Sequence, residues 1–260
     1  MNKKVAKMPC FDFSNKTVVV TGGGSGIGYA IAQAFFACGA NVVICDRRKF
    51  VLEKAFQDIK KDIKSQGRIL SVHCDLSREK NVSMLVNKTL KKFSSLDIFV
   101  NNAGAWVSTP VLSLKETDIS NMISNNLVTT ILGTKHAAQS MTKGGVIINT
   151  GSFAGRMSRI GSGLYAAAKS GVEQFTRISA AELASKNIRV NCIIPGVIKT
   201  PMAKASMDKK RKELLRSIPM RRFGTPEEVA NAVLFLSSDL AQYITGASLE
   251  VTGGKYTAQL

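Results

Sequence analysis

Short apolar runs alternate with longer amphipathic stretches along most of this chain. Thr17–Thr21 (TVVVT), Asn41–Asp46 (NVVICD), Ile69–Asp75, Leu96–Asn101 (LDIFVN), Val146–Thr150 (VIINT), Ile188–Ile194 and Ala247–Val251 read as strands. Helical periodicity covers Gly26–Cys38 and residues 50–65, 78–93, 116–142, 164–185, 203–216 and 226–237. The strands are almost continuously apolar, which indicates a parallel sheet covered on both faces. Right-handed crossovers then yield an α/β fold, a doubly wound sheet of about seven strands with helices on both faces. No Gly/Pro/Ser-rich linker divides the chain and no period repeats. The expected organisation is a tail over 1–12 and one domain over 13–260.

Composition narrows the class. The chain has 260 residues, 45% hydrophobic and 21% charged, which excludes disorder. No apolar run approaches the ~18 residues of a membrane span. The start, Met1 to Lys7, lacks the apolar block of a secretory signal. Five cysteines, at 10, 38, 45, 74 and 192, form no C-x-x-C pair. They read as reduced thiols of a cytoplasmic protein, and no metal site is expected.

The formal net charge is +18, from 36 basic and 18 acidic residues. The excess is clumped. Residues 1–16 hold four basic residues and one acidic, 47–64 hold seven and three, and 203–222 hold eight and two. Nucleic-acid grooves interleave aromatics with basic residues, and these stretches hardly do, so no nucleic-acid partner is expected. Solvated helix faces and a preference for an anionic substrate remain open.

In open α/β sheets ligands bind beyond the carboxyl ends of the strands. There lie Thr21-Gly22, Asp46, Asp75, Asn101-Asn102, Ser152 and Pro195-Gly196, small or polar residues that let a ligand approach closely. The first such turn reads Gly22-Gly-Gly-Ser25-Gly26-Ile27-Gly28, a G-x-x-x-G-x-G spacing opening a helix. Glycines there let backbone N–H groups face a pyrophosphate; a bare tight turn is the alternative. Asp46 closes the second strand, where a carboxylate accepts from a ribose 2′-OH and repels a 2′-phosphate. Arg47 and Arg48 follow and carry the opposite signal. NAD is favoured, with NADP the alternative; Asp46 as a helix cap is the plain reading. Tyr165 and Lys169, four apart, share a helix face. A lysine cation beside a phenol lowers its pKa towards acid–base use. Ser152 could reach the same crevice and donate to a carbonyl oxygen.

These residues together resemble the short-chain dehydrogenase/reductase family in its single-domain form. The likeness spans roughly 13–254 and rests on Thr21-Gly22-x-x-x-Gly26-Ile27-Gly28, Asp75, Asn101-Asn102-Ala103-Gly104, Ser152, Tyr165-x-x-x-Lys169 and Pro195-Gly196-x-x-x-Thr200. Ile218 to Val229 is similar to a stretch of 3-oxoacyl-carrier-protein reductases. The resemblance implies a Rossmann-type sheet and hydride transfer between a nicotinamide cofactor and a secondary alcohol or ketone. It implies Tyr165 as acid/base, Lys169 as its modulator and ribose ligand, Ser152 steadying the substrate oxygen, and Asn126 holding a relay water. It implies Asp75 and Leu76 at the adenine, Asn102, Ala103 and Gly104 at the adjacent ribose, and Pro195, Gly196, Ile198 and Thr200 towards the nicotinamide and pyrophosphate. It also implies a homotetramer. An NADPH-dependent 3-oxoacyl thioester reductase is the alternative, and a non-catalytic dinucleotide sensor is the alternative of another class.

Two departures bear on this. Ser25 stands where NADP-preferring members often carry a basic residue, and the usual Val-Asp-Gly-Gly ending is Val251-Thr-Gly-Gly254. Residues 200–222 read as a lid over the substrate, with Met202, Met207, Leu214, Leu215 and Met220 among its cations. An amphipathic surface helix is the alternative there.

Overall fold

A computed structural model describes residues 11–61, 65–157 and 159–255. Cys10 and nearly all of the basic tail lie outside the described residues.

The elements run β1 (Thr17–Thr21), α1 (Gly26–Ala37), β2 (Asn41–Asp46), α2 (Lys49–Lys60), β3 (Ile69–His73), α3 (Glu79–Phe93) and β4 (Ile98–Asn101). Then come α4 (Glu116–Ile123), a π-turn (Ser124–Val128), α5 (Thr129–Ser140), β5 (Gly145–Thr150), α6 (Gly163–Leu183) and β6 (Ile188–Pro195). Finally α7 (Lys204–Lys209), α8 (Arg211–Arg216), α9 (Pro226–Ser237) and β7 (Ser248–Val251) close the fold.

Among the described residues the strands form one parallel sheet of order β3-β2-β1-β4-β5-β6-β7. Strand alternation builds a core on each face. Val18, Val20, Val42, Ile44, Ile98, Val100, Val146 and Ile148 face one way, onto α1, α2 and α9 through Ile31, Phe35, Leu52, Ile59 and Val233. Val19, Val43, Phe99, Ile147 and Val190 face the other way, onto α3, α5 and α6 through Leu85, Ala137 and Ala180. Burial on both faces is why these strands read as unbroken apolar runs. Strand order reverses between β1 and β4, the place at which open α/β sheets take ligands beyond the carboxyl ends of their strands.

The expected helix over 116–142 departs from regularity. Five residues, Ser124–Val128, take π geometry, and Asn126 lies among them. The expected basic helix over 203–216 is two short helices, interrupted at Lys210 (φ −122°, ψ 25°). Arg156 ties the loop after β5 to α6 and β7 by pairing with Glu173, 2.9 Å, and Glu250.

Candidate active site

The glycine turn is shaped by close approach. Gly22 and Gly26 have φ of +64° and +56°, a region L side chains rarely adopt. A Cβ on Gly28 would lie 2.3 Å from the Gly22 carbonyl oxygen and 2.4 Å from Asn102 Nδ2. The turn thus leaves no room for side chains, as a cradle that receives a pyrophosphate with backbone N–H groups must. Thr200 packs against Gly26, 3.2 Å from where its Cβ would be.

Thr21 couples the cradle to β4. Its hydroxyl donates to the Val100 carbonyl at 3.1 Å and accepts from the N–H groups of Asn102 and Ala103 at 2.8 and 2.9 Å. Asn102 Nδ2 returns a bond to the Thr21 carbonyl, 2.9 Å. Sequence reasoning gave Thr21 no role of its own, since its partners are about eighty residues away. Asn101 turns from the cleft and joins a buried chain to Thr134 and Asn149, which continues to Thr176.

Asp46 stands beside the cradle, with Oδ2 2.8 Å from where a Gly24 Cβ would be. Burial pushes this carboxyl up, but Arg48 holds it below the usual range through its side-chain and backbone hydrogen bonds. Arg48 Nη2 also reaches Ser25 Oγ at 2.9 Å. Arg47 points elsewhere, to Asn125 Oδ1 at 3.3 Å. Arg48, more than Arg47, therefore sits at this edge. Asp75 is exposed and accepts from the Ser77 N–H at 3.0 Å, while Leu76 is buried. Pro195 ends β6, and Gly196 donates to Val251 at 3.0 Å. Ile198 is buried against Gly224, so its side chain belongs to the core and little of it faces the cleft.

Ser152, Tyr165 and Lys169 converge at the end of β5. The Ser152 hydroxyl accepts from the Ala154 N–H at 3.1 Å and lies close enough to the Tyr165 phenol to lower its pKa. Lys169 is buried, and its Nζ donates to the Thr150 carbonyl at 2.8 Å and lies 5.8 Å from the Tyr165 ring centroid. Burial brings the ammonium down to about 8. Burial pushes the Tyr165 phenol up, and the Ser152 hydroxyl offsets this in part. Burial and the Ser152 hydroxyl are the influences felt at this phenol, while the Lys169 ammonium is engaged by the Thr150 carbonyl.

Asn126 is fully buried in the π-turn. Its Nδ2 donates to the carbonyls of Ala105 and Met122, at 2.9 and 3.0 Å, and its Oδ1 accepts from the Ala105 N–H at 3.3 Å. The extra residue of a π-turn re-aims such a side chain. A Cβ on Gly104 would lie 2.8 Å from Asn126 Oδ1 and 3.5 Å from Lys169 Nζ, so Gly104 brings these two groups to one place.

The family whose description is Enoyl-(Acyl carrier protein) reductase matches residues 22–256. The chain belongs to the short-chain dehydrogenase/reductase family. It is similar to the 3-oxoacyl-[acyl-carrier-protein] reductase FabG of Chlamydia muridarum, 39% identical over 92% of this chain and 97% of that one. It is 35% identical to a 3alpha-hydroxysteroid dehydrogenase of Mediterraneibacter gnavus, over 92% of this chain and 96% of the other. A Brucella melitensis crystal structure titled as an SDR glucose/ribitol dehydrogenase superposes with TM-score 0.90 at 31% identity, covering 95% and 99% of the two chains. This short-chain dehydrogenase/reductase is an NAD(P)-dependent oxidoreductase acting on CH–OH groups. Among the described residues no helix is long and apolar enough to cross a membrane.

In this short-chain dehydrogenase/reductase residues 200–222 bury Met207, Leu214 and Ile218 with Val197 and Phe223, against Phe153. Met202 and Met220 stay exposed. Phe153 directly follows Ser152, so this apolar cluster reaches the loop beside Ser152 and Tyr165.

Proposed function

We propose that this enzyme interconverts a ketone and a secondary alcohol, with Tyr165 as the proton donor and acceptor. The observation that carries this reading is the meeting of Ser152, a half-buried Tyr165 and a buried Lys169 at the end of β5. When bound, the nicotinamide supplies or accepts the hydride. In reduction the Tyr165 phenol gives its proton to the substrate oxygen while the Ser152 hydroxyl donates a hydrogen bond to it. In oxidation the phenolate takes that proton back. Lys169 recharges the site and holds the adjacent ribose, and Asn126 orders the 104–105 loop and the route from Lys169 to water.

The glycine turn, Ser25 and Ile27 form the phosphate cradle, Asp75 and Leu76 the adenine edge, and Asn102 to Gly104 the ribose edge; Arg47 flanks the adenine edge. Pro195, Gly196, Thr200 and the backbone of Ile198 shape the nicotinamide end. Asp46 favours NAD, and Arg48 moderates its repulsion of a 2′-phosphate, so NADP is used as well. The FabG relatives support a 3-oxoacyl thioester as one substrate, and the cationic lid suits an anionic one. We read the enzyme as a cytoplasmic homotetramer.

The test is cofactor oxidation with a panel of ketones and 3-oxoacyl thioesters, run with NADH and NADPH in parallel. Tyr165→Phe should abolish turnover while cofactor binding survives. Near-normal turnover in that variant would remove Tyr165 from its role.

A further inference from the structure

Lys255 follows the Gly253-Gly254 turn and is only 8% exposed. Buried ammonium groups are ordinarily paired with a carboxylate, because an unpaired charge away from water is costly. Among the described residues Lys255 has no ion pair. Its Nζ donates to the Ser217 hydroxyl just beyond α8 and lies 5.5 Å from the Phe153 ring centroid. Glu213 is the carboxylate felt at longer range, and it is already engaged by Lys210 at 3.5 Å.

A second cation adds to this excess. Arg159 makes no ion pair among the described residues, and its guanidinium lies 5.8 Å from the Trp106 ring centroid. Its charge is felt at Lys255. The loops carrying Trp106 and Arg159 are clasped by the Thr109 N–H donating to the Gly161 carbonyl, 2.8 Å. The C-terminal segment is clasped to the lid by the Met220 N–H donating to the Gly253 carbonyl, 3.2 Å. Lys255 is therefore held between residues 200–222, through Ser217, and the ring of Phe153, the residue after Ser152. Charge in such surroundings acts more strongly than in water.

We propose that Lys255 and Arg159 form an anion subsite of the substrate cleft, selecting oxo and hydroxy compounds that carry a carboxylate or phosphate. This deepens the reading of Ser152 and Tyr165 as the carbonyl site, since Phe153 ties the ammonium to that end of the cleft. Burial, followed by the Arg159 charge, holds the Lys255 ammonium below its ordinary value, and a bound anion relieves both. Neither residue touches the reacting atoms; they position the far end of the substrate.

Trp106 is the one tryptophan of the chain and reports binding directly. Its fluorescence is titrated with butanoate, propyl phosphate and methyl butanoate in the wild type, Lys255→Met and Lys255→Arg. Melting curves of each variant confirm folding. Wild type should bind an anion at least about tenfold tighter than the neutral ester, with the preference lost in Lys255→Met and kept in Lys255→Arg. The tighter of butanoate and propyl phosphate identifies the group the subsite takes. Equal binding of ester and anions, no response to any anion, or an unchanged preference in Lys255→Met would each overturn the subsite. Turnover is not needed, so a wild type that reduces no carbonyl would sink the proposed reaction while leaving this measurement to stand or fall alone.

Discussion

The Arg48 guanidinium straddles the Asp46 carboxylate, with Nε 3.1 Å from Oδ1 and Nη2 2.9 Å from Oδ2. The carboxylate that would accept from a ribose is thereby partly neutralised. Arg48→Ala should widen the preference for NAD over NADP, by about tenfold in the kcat/KM ratio, and Asp46→Ala should narrow it. Better use of NADP by Arg48→Ala would contradict this.

Tyr165 predicts a pH profile. A phenol held above its ordinary value must lose its proton before it can accept one from an alcohol. Alcohol oxidation should rise with pH through the alkaline range, while ketone reduction stays level near neutrality and falls as the phenol ionises. Initial rates in both directions check this. An oxidation rate that peaks at neutral pH would contradict it.

Lys169 predicts a stability difference. Its folded-state value of about 8 lies below the 10.5 of an ordinary lysine. Above about 8 the unfolded chain holds the extra proton, so this group's contribution to stability rises with pH. Cys192, pushed up to about 12 from 9.0, opposes the rise above its ordinary value, because the folded state then holds the extra proton. The clean window is therefore roughly pH 8 to 9. Denaturant melts should show the wild type gaining on Lys169→Met across it.

Gly28 predicts a packing penalty. A methyl group 2.3 Å from the Gly22 carbonyl oxygen forces α1 away from β1. Gly28→Ala should cost about 1–3 kcal/mol and weaken cofactor binding together. Thermal melting and cofactor titration measure the two.

The α9 cap predicts an acid-sensitive loss. Thr225 Oγ accepts from the Glu228 N–H at 3.4 Å, and Glu228 Oε2 accepts from the Thr225 N–H at 2.9 Å. Arg222, followed by the Thr225 N–H, brings Glu228 down to about 2. The stabilisation is present above the ordinary 4.5 and lost as pH falls towards 2. Thr225→Ala should cost about 1 kcal/mol at neutral pH, and Glu228→Gln should blunt the acid loss. Melts at neutral and acidic pH separate the two effects.

Much of this was legible along the chain. Asn41–Asp46 is a strand with the expected bounds, because a strand buried on both faces writes itself as an apolar run. Ser152, Tyr165 and Lys169 were nameable because short spacings and strand ends place them. The π-turn at Asn126 was not legible: one extra residue in a helical turn leaves the apolar period almost unchanged. Nor was the break at Lys210, where charge is uniform on both sides and periodicity carries no mark.

Local pattern alone thus determined the parallel sheet, its strand-end cleft and the glycine turn, since each depends on near neighbours and side-chain period. Which charges face one another was decided only by the tertiary structure. Arg48 rather than Arg47 meets Asp46, and Lys169 answers to a backbone carbonyl of β5. Lys255, 102 residues after Phe153, comes to lie over its ring. Electrostatics depends on distance through space and on burial, and neither is written in the order of residues.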